Sequence, residues 1–187
     1  MLFIIVRFKE LIWGDSLSDD IVYEPEVTIF IAAYNEMSCL KEKLTNTLSL
    51  DYPKDKMQIL FITDGSDDGS EQFLKSIPGI DVKHNELRLG KTGAMNRGME
   101  FVNSPIVIFS DANTSLNKGA VKEIVKHFKK DKIGCVSGEK RIKREEFTGA
   151  SSEGEGLYWR YESLLKRLDA KLYSTIGAAG ELFAIRK

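Results

Sequence analysis

The 187-residue chain has only two cysteines, Cys39 and Cys135, and only two histidines, His84 and His127. One cysteine lies in a helical pattern and the other in an apolar strand pattern, which excludes a disulfide framework and makes the reducing cytosol the natural compartment. Neither histidine has a second histidine or a cysteine at ligand spacing, so His84, at a strand end, and His127, on an exposed helix tail, read as structural residues. An excess of one charge is also missing. With 27 basic and 28 acidic residues the formal net charge is -1, so no nucleic-acid partner is expected and any polyanion must be held locally. Finally, there is no long hydrophobic run: Met1-Leu-Phe-Ile-Ile-Val6 is followed at once by Arg7, Lys9 and Glu10, far short of the ~20 residues of a spanning helix. Residues 1–24 form an N-terminal segment that reads either as the remnant of a membrane-proximal helix or as a surface helix.

Two common phosphate-binding motifs are absent as well. No G-x-G-x-x-G follows the first strand candidate, which removes the usual dinucleotide site. Gly90-Lys91-Thr92 opens a helix, but a P-loop requires a glycine five residues before Gly90 and position 85 is Asn. Lys91 keeps its interest, because free N–H groups and the dipole at a helix start favour an anion such as a diphosphate. Its plain alternative is a solvated surface lysine.

What the chain does have is a repeated pattern of apolar runs that end in polar, acidic residues. Val27-Thr-Ile-Phe-Ile-Ala-Ala33 leads into Tyr34-Asn-Glu36; Met57-Gln-Ile-Leu-Phe-Ile-Thr63 leads into Asp64-Gly-Ser-Asp-Asp-Gly69; Ile106-Val-Ile-Phe-Ser110 leads into Asp111-Ala-Asn113. These runs are apolar at nearly every position, as expected of parallel strands covered on both faces. Ile133-Gly-Cys-Val-Ser137 is a shorter candidate of the same kind. Helical periodicity lies between them: Met37, Leu40, Leu44 and Leu48; Ala94, Met95, Gly98, Met99 and Val102; and Val121, Ile124, Val125 and Phe128, the last stripe preceded by Asn117 as N-cap, with Leu116 and Val121 placed as a staple. The order β-α-β-α-β-α-β-α predicts an open α/β domain with its ligand outside the carboxyl ends of the strands. Beyond Gly138 the composition changes to the charged run Glu139–Glu146, the glycine-rich loop Ser151–Gly156, and an amphipathic pattern of Leu157, Tyr161, Leu164, Leu165 and Leu168. Tyr158, Trp159 and Tyr161 read there as core or interface, with stacking on a sugar as the alternative.

Three strand ends thus converge on one acidic site, whose chemistry fits a hard divalent ion and a sugar nucleotide. Asp111 and Asn113 have the spacing to offer oxygens to a metal and a ribose. Asp64 can accept from a base N–H or a ribose hydroxyl, whereas Asp67 and Asp68 read as caps or solvated turn residues.

These segments together resemble the inverting family 2 glycosyltransferases, which have the GT-A fold: an open, mostly parallel sheet flanked by helices with a Rossmann-like nucleotide-binding half. Pro25–Glu36 is similar to their first strand and donor loop, Ile62–Ser70 to their nucleoside segment, and Leu89–Gly98 to the Gly-Lys block of membrane-associated, polysaccharide-making members. Ser110–Asn113 stands where they carry Asp-x-Asp, and Gly177–Arg186 resembles their acceptor-side glycine block. The resemblance covers residues 25–187 in order and implies transfer of a sugar, with inversion, from a nucleotide-sugar donor, UDP-linked in expectation, to a hydroxyl acceptor. It implies Mg²⁺ or Mn²⁺, a saccharide or lipid-linked acceptor, and a full-length protein at the cytoplasmic face of the cell membrane. The donor residues it implies are Ala33, Tyr34, Glu36, Asp64, Lys91, Asn96 and Asp111; the metal ligands are Asp111 and Asn113, and the acceptor-side residues Gly180 and Glu181.

The sequence departs from that pattern in three ways. Thr63 replaces the first acidic residue of the nucleoside segment, and Asn113 replaces the last Asp of Asp-x-Asp, a weaker ligand than a carboxylate. The family's usual catalytic base lies beyond the glycine block, so it is expected past Lys187, and the domain reads as truncated at its carboxyl end. Glu181 is a weak substitute. The rival from another class is a noncatalytic nucleotide-sugar-binding module; a sugar nucleotidyltransferase is disfavoured because Ala32-Ala-Tyr-Asn-Glu36 is not a Gly-rich, Arg-containing loop.

Overall fold

The computed structural model describes residues 22–138, 161–166, 168–169 and 180–187. Tyr23–Gly138 and Gly180–Lys187 form one compact unit, which therefore ends where the composition changes. In the rest of the chain, 161–166 and 168–169 are helical, with Tyr161 and Leu164 exposed. The run at Met1–Val6, the charged segment Glu139–Glu146, the loop Ser151–Gly156, and Leu157, Tyr158 and Trp159 lie outside the described residues. No helix among the described residues is long and apolar enough to cross a membrane.

Within the compact unit the elements run β1 (Val27–Ala33), α1 (Met37–Leu48), β2 (Met57–Asp64), α2 (Ser70–Lys75), β3 (Asp81–Asn85), α3 (Gly90–Gly98), β4 (Ile106–Asp111), α4 (Ala120–Val125), β5 (Cys135–Ser137) and β6 (Leu182–Arg186). The sheet order is β3-β2-β1-β4-β6-β5. β1 pairs in parallel with β2 and β4, and β2 with β3, while β6 lies antiparallel between β4 and β5. The alternating part of the chain folds as expected from its pattern. α2, β3 and β6 are additions: no periodic stripe or apolar run marks the first two, and the residues of β6 read from sequence only as part of a glycine block.

The apolar runs form parallel strands because both of their faces are covered. On one face Val27, Ile29, Ile31, Ile59, Phe61, Ile106 and Ile108 meet Leu40 and Leu44 of α1, Leu74 of α2, and Val121, Ile124 and Val125 of α4. On the other, Phe30, Leu60, Ile62, Val107 and Phe109 meet Ala94 of α3 and Val102. Gly98 fixes how closely α3 approaches, since a Cβ there would lie 2.2 Å from Phe30 Cζ and 2.7 Å from Ile62 Cγ1. Two boundaries differ from expectation. α4 begins at Ala120 with Gly119 at the N-cap and no side-chain cap, and Asn117 accepts the Ala120 N–H through its backbone carbonyl instead. Pairing in the fifth strand starts at Cys135, not Ile133.

The registers Ala33↔Thr63, Ala32↔Asp111 and Asp64↔Asn85 bring the carboxyl ends of β1 to β4 level with one another. Because β6 runs the other way, pairing Leu182 with Ser110, the residues just before it, Gly180 and Glu181, arrive at this same edge.

Candidate active site at the carboxyl edge of the sheet

The loops at this edge are tied to one another by side chains. After β1, Asn35 takes a left-handed backbone (φ 51) and exchanges two hydrogen bonds with Asp67: its Nδ2 donates to Asp67 Oδ1 (2.9 Å) and its Oδ1 accepts from Asp67 N (3.0 Å). Asp68 Oδ2 accepts the Met37 N–H at the start of α1, and its Oδ1 accepts the N–H and hydroxyl of Ser70. Asp68 lies outside both helices and still satisfies the first backbone N–H of each, the helix after β1 and the one after β2. Desolvation works against its charge, but these donors hold its carboxyl below the usual range.

Asp64 ends β2 with only 3 % of its surface exposed. Its Oδ2 accepts the N–H groups of Leu89 and Gly90, both at 2.8 Å, which puts the carboxylate at the positive end of α3. Oδ1 faces Arg97 Nη1 at 3.5 Å, and Arg97 Nη2 donates to Thr63 O. Gly65 follows with φ 70, and a Cβ there would meet the Arg88 backbone N at 3.0 Å. The loops after β2 and β3 thus touch backbone to backbone, and only glycine fits. The Arg88 guanidinium lies 3.8 Å from the centroid of the Tyr34 ring, and that ring is 40 % exposed.

On the other side of β1, Asp111 keeps 29 % of its side chain exposed and pairs with Lys91, which is 50 % exposed. Lys91 Nζ donates to Asp111 Oδ1 at 2.6 Å and to Gly180 O at 3.0 Å. The Asp111 N–H donates to Glu181 O. From beneath, the buried Lys43 of α1 donates to Ser110 Oγ (2.6 Å) and Thr114 O (2.7 Å). Burial pushes its ammonium down to about 8, an effect only partly offset by the negative charge of Asp111. Asn46 also exchanges hydrogen bonds with Leu116, so α1 holds the segment 110–116 at two points.

The structure brings Lys91, Asp111, Gly180 and Glu181 into direct contact, Gly180 through its carbonyl to Lys91 and Glu181 through its own to the Asp111 N–H. Ala33 is buried at the end of β1, and Tyr34 stands exposed beyond it. The Glu36 carboxylate accepts from the Cys39 thiol (3.1 Å) within the first turn of α1. Asn96 is not brought into this group: it is exposed on α3, about half a turn from Ala94 and Gly98, which face the sheet. Asp64 is directed inward to the α3 amides. Three residues that sequence reasoning did not single out help to build the edge, Lys43, Arg88 and Arg97. For Lys43 the signal was available, since it follows Leu40 by three positions and so shares the buried stripe of α1.

Among the described residues no group of three or more His, Cys, Asp or Glu could hold a metal. Asp111 and the Gly180 carbonyl are hard oxygen donors converging on one ammonium, and Asn113, two residues on from Asp111, is exposed. That set fits a divalent ion whose remaining ligands come from a bound diphosphate.

An open, mostly parallel sheet with one reversed strand and a polar carboxyl edge is a ligand-binding α/β architecture, and its likeness to the solved glycosyltransferases below makes it GT-A. The Glycosyl transferase family 2 model matches residues 28–187, and the chain belongs to that family. It is 31% identical over 126 residues to the poly-beta-1,6-N-acetyl-D-glucosamine synthase of Staphylococcus aureus (strain COL), covering 64% of this chain and 29% of that protein. The corresponding Staphylococcus epidermidis synthase is 30% identical over 128 residues, with the same coverage of 64% and 29%. The chain thus spans less than a third of the length of these relatives. Among solved structures, the mannosyltransferase PcManGT from Pyrobaculum calidifontis, in complex with GDP-Man and Mn2+, superposes with a TM-score of 0.74 at 24% identity, covering 99% of this chain and 52% of that one. S. aureus TarS 1-349 in complex with UDP gives a TM-score of 0.58 at 17% identity, over 67% of this chain and 38% of that one. At these identities the two structures speak to the fold.

Proposed function

We propose that this chain forms the donor half of an inverting glycosyltransferase that moves a sugar from a UDP-sugar to a hydroxyl acceptor in polysaccharide or glycoconjugate synthesis. The observation that carries the reading is the Lys91–Asp111 pair, set beside Gly180 at the edge where β1, β2 and β4 end together. The family membership and the polysaccharide synthases among its relatives support the reaction class. The choice of UDP draws on TarS, solved with UDP and with UDP-GlcNAc.

In this reading Tyr34 offers its exposed ring to the nucleobase, and the Asp67–Asn35 and Asp68–Met37 links hold that loop in place. Asp64 acts through α3: by fixing the Leu89 and Gly90 amides it sets the first turn, from which Lys91 reaches the diphosphate. Lys91 compensates the charge that grows on the leaving nucleoside diphosphate as the acceptor hydroxyl attacks the anomeric carbon. Asp111, with Asn113 two residues on, would hold Mg²⁺ or Mn²⁺ on the diphosphate, and such an ion supplies charge neutralisation there. Gly180 and Glu181 border the acceptor side. The base is assigned to no described residue, and the acceptor and the cytoplasmic membrane face are part of the proposal for the whole protein.

Calorimetric titration with UDP, with and without Mn²⁺, tests the reading. Metal-dependent binding that Asp111→Ala abolishes is the expected result. A folded wild-type chain that binds no UDP overturns it, and UDP binding without sugar release from UDP-GlcNAc would favour the noncatalytic binding module.

A further inference from the structure

The Lys91 ammonium occupies the place of a cation. Its two acceptors are a carboxylate oxygen at 2.6 Å and a peptide carbonyl at 3.0 Å, the same pair of hard oxygen donors that a divalent ion selects. A divalent ion on Asp111 Oδ1 would sit against the ammonium, and two like charges at such a separation repel strongly. Asp111 therefore has two competing cations, one of them covalently part of the protein.

We propose that Lys91 is a built-in competitor for the metal: in the nucleotide-free protein it holds Asp111 and Gly180, and it releases them only when a diphosphate offers it a stronger anion. Lys91 is suited to that exchange. It is half exposed at the first turn of α3, on a flexible stem, so the ammonium can swing without disturbing the buried Ala94 and Gly98 that seat the helix. The neighbouring groups are not free to make such an exchange: Asp64 is fixed by two backbone amides, and Lys43 is buried with its two acceptors. One side chain then makes metal and nucleotide binding cooperative, because each ligand removes an obstacle to the other, and the coupling is reciprocal. The identity of the anion rests on the donor-site reading above; the competition between Lys91 and the metal does not.

The test is direct Mn²⁺ binding by the full chain, followed by the electron-spin signal of free Mn²⁺, first without nucleotide and then with UDP. Without nucleotide, Lys91→Met is expected to bind Mn²⁺ about tenfold more tightly than wild type, the scale of removing one partly screened competing charge. Lys91→Arg keeps a cation and is expected to stay near wild type, and adding Asp111→Ala to Lys91→Met is expected to erase the gain. With UDP, wild type should gain more Mn²⁺ affinity than Lys91→Met gains. If folded Lys91→Met binds Mn²⁺ alone no more tightly than wild type, or if the gain survives loss of Asp111, the proposal is overturned. If wild type binds no UDP, the donor-site reading fails, while the nucleotide-free comparison still decides the role of Lys91.

Discussion

Asp64 and Asp111 stand at the ends of two strands that flank β1 and reach the same level of the sheet, yet they are used in opposite ways. Asp64 is buried and accepts two backbone N–H groups and the approach of Arg97. Asp111 is partly exposed and held by a lysine that is itself half exposed. Position at the carboxyl end of a parallel strand therefore does not by itself decide how exposed an acidic residue is. What decides is whether the next loop closes over it: the turn before α3 folds back onto Asp64, whereas segment 112–116 is drawn down towards α1 by Lys43 and Asn46 and leaves Asp111 uncovered.

If this contrast is right, Asp64→Ala should be the most damaging change. It removes the acceptor for Leu89, Gly90 and Arg97 together, and loss of one partner of a buried charged pair costs about 3–5 kcal/mol. Thermal or urea unfolding should show it.

Lys43→Met tests the support under Asp111 and carries a pH signature. Lys43 has an ordinary value of 10.5 and titrates at about 8 in the fold. Across that window the unfolded chain binds more protons, so the Lys43 contribution to stability rises with pH above about 8 and is flat below it. The stability of wild type relative to Lys43→Met should therefore increase by about 2 kcal/mol between roughly pH 7 and pH 10 in urea titrations. A difference that does not vary with pH would mean that the amine is solvated.

Gly98→Ala probes the seating of α3 apart from its cap. The added methyl meets the Phe30 ring and Ile62, and overpacking of this kind costs about 1–3 kcal/mol. An unchanged melting temperature would show that α3 can shift outward and that Asp64 alone holds it. The smallest effect is expected for Asp111→Ala, whose stability should differ from wild type by about 0.5 kcal/mol or less, as for an exposed ion pair. A large loss there would remove the contrast between the two aspartates.

Much of the fold was legible because the strands are fully covered. Continuous apolar runs such as Val27–Ala33 and Ile106–Ser110 can only be satisfied between two helical layers, and their polar ends mark the edge of the sheet. The family was legible in the resemblance of five motifs, in order, to family 2 glycosyltransferases. The inward use of Asp64 was not legible, since its donors lie 25 and 26 residues away along the chain. β6 was hidden for a related reason: its burial is partial at four of five positions, and what makes it a strand is pairing with β4, far away in sequence. Asn117 misled because a good capping side chain is only an option, and the chain here turns into α4 through Gly119.

The sheet order also sets a timetable for synthesis. β6 follows β4 and β5 along the chain but lies between them, so until Leu182–Arg186 emerges β5 has no partner strand among the described residues and that edge of β4 stays bare. Such an edge is an adhesive template for other chains, and distant pairings of this kind close slowly. A nascent chain that ended before Gly180 would already possess the amides and carboxylate that cap α3, but neither the second acceptor of Lys91 nor a covered β4. Supplying the second acceptor of Lys91 and covering the β4 edge are thus one step.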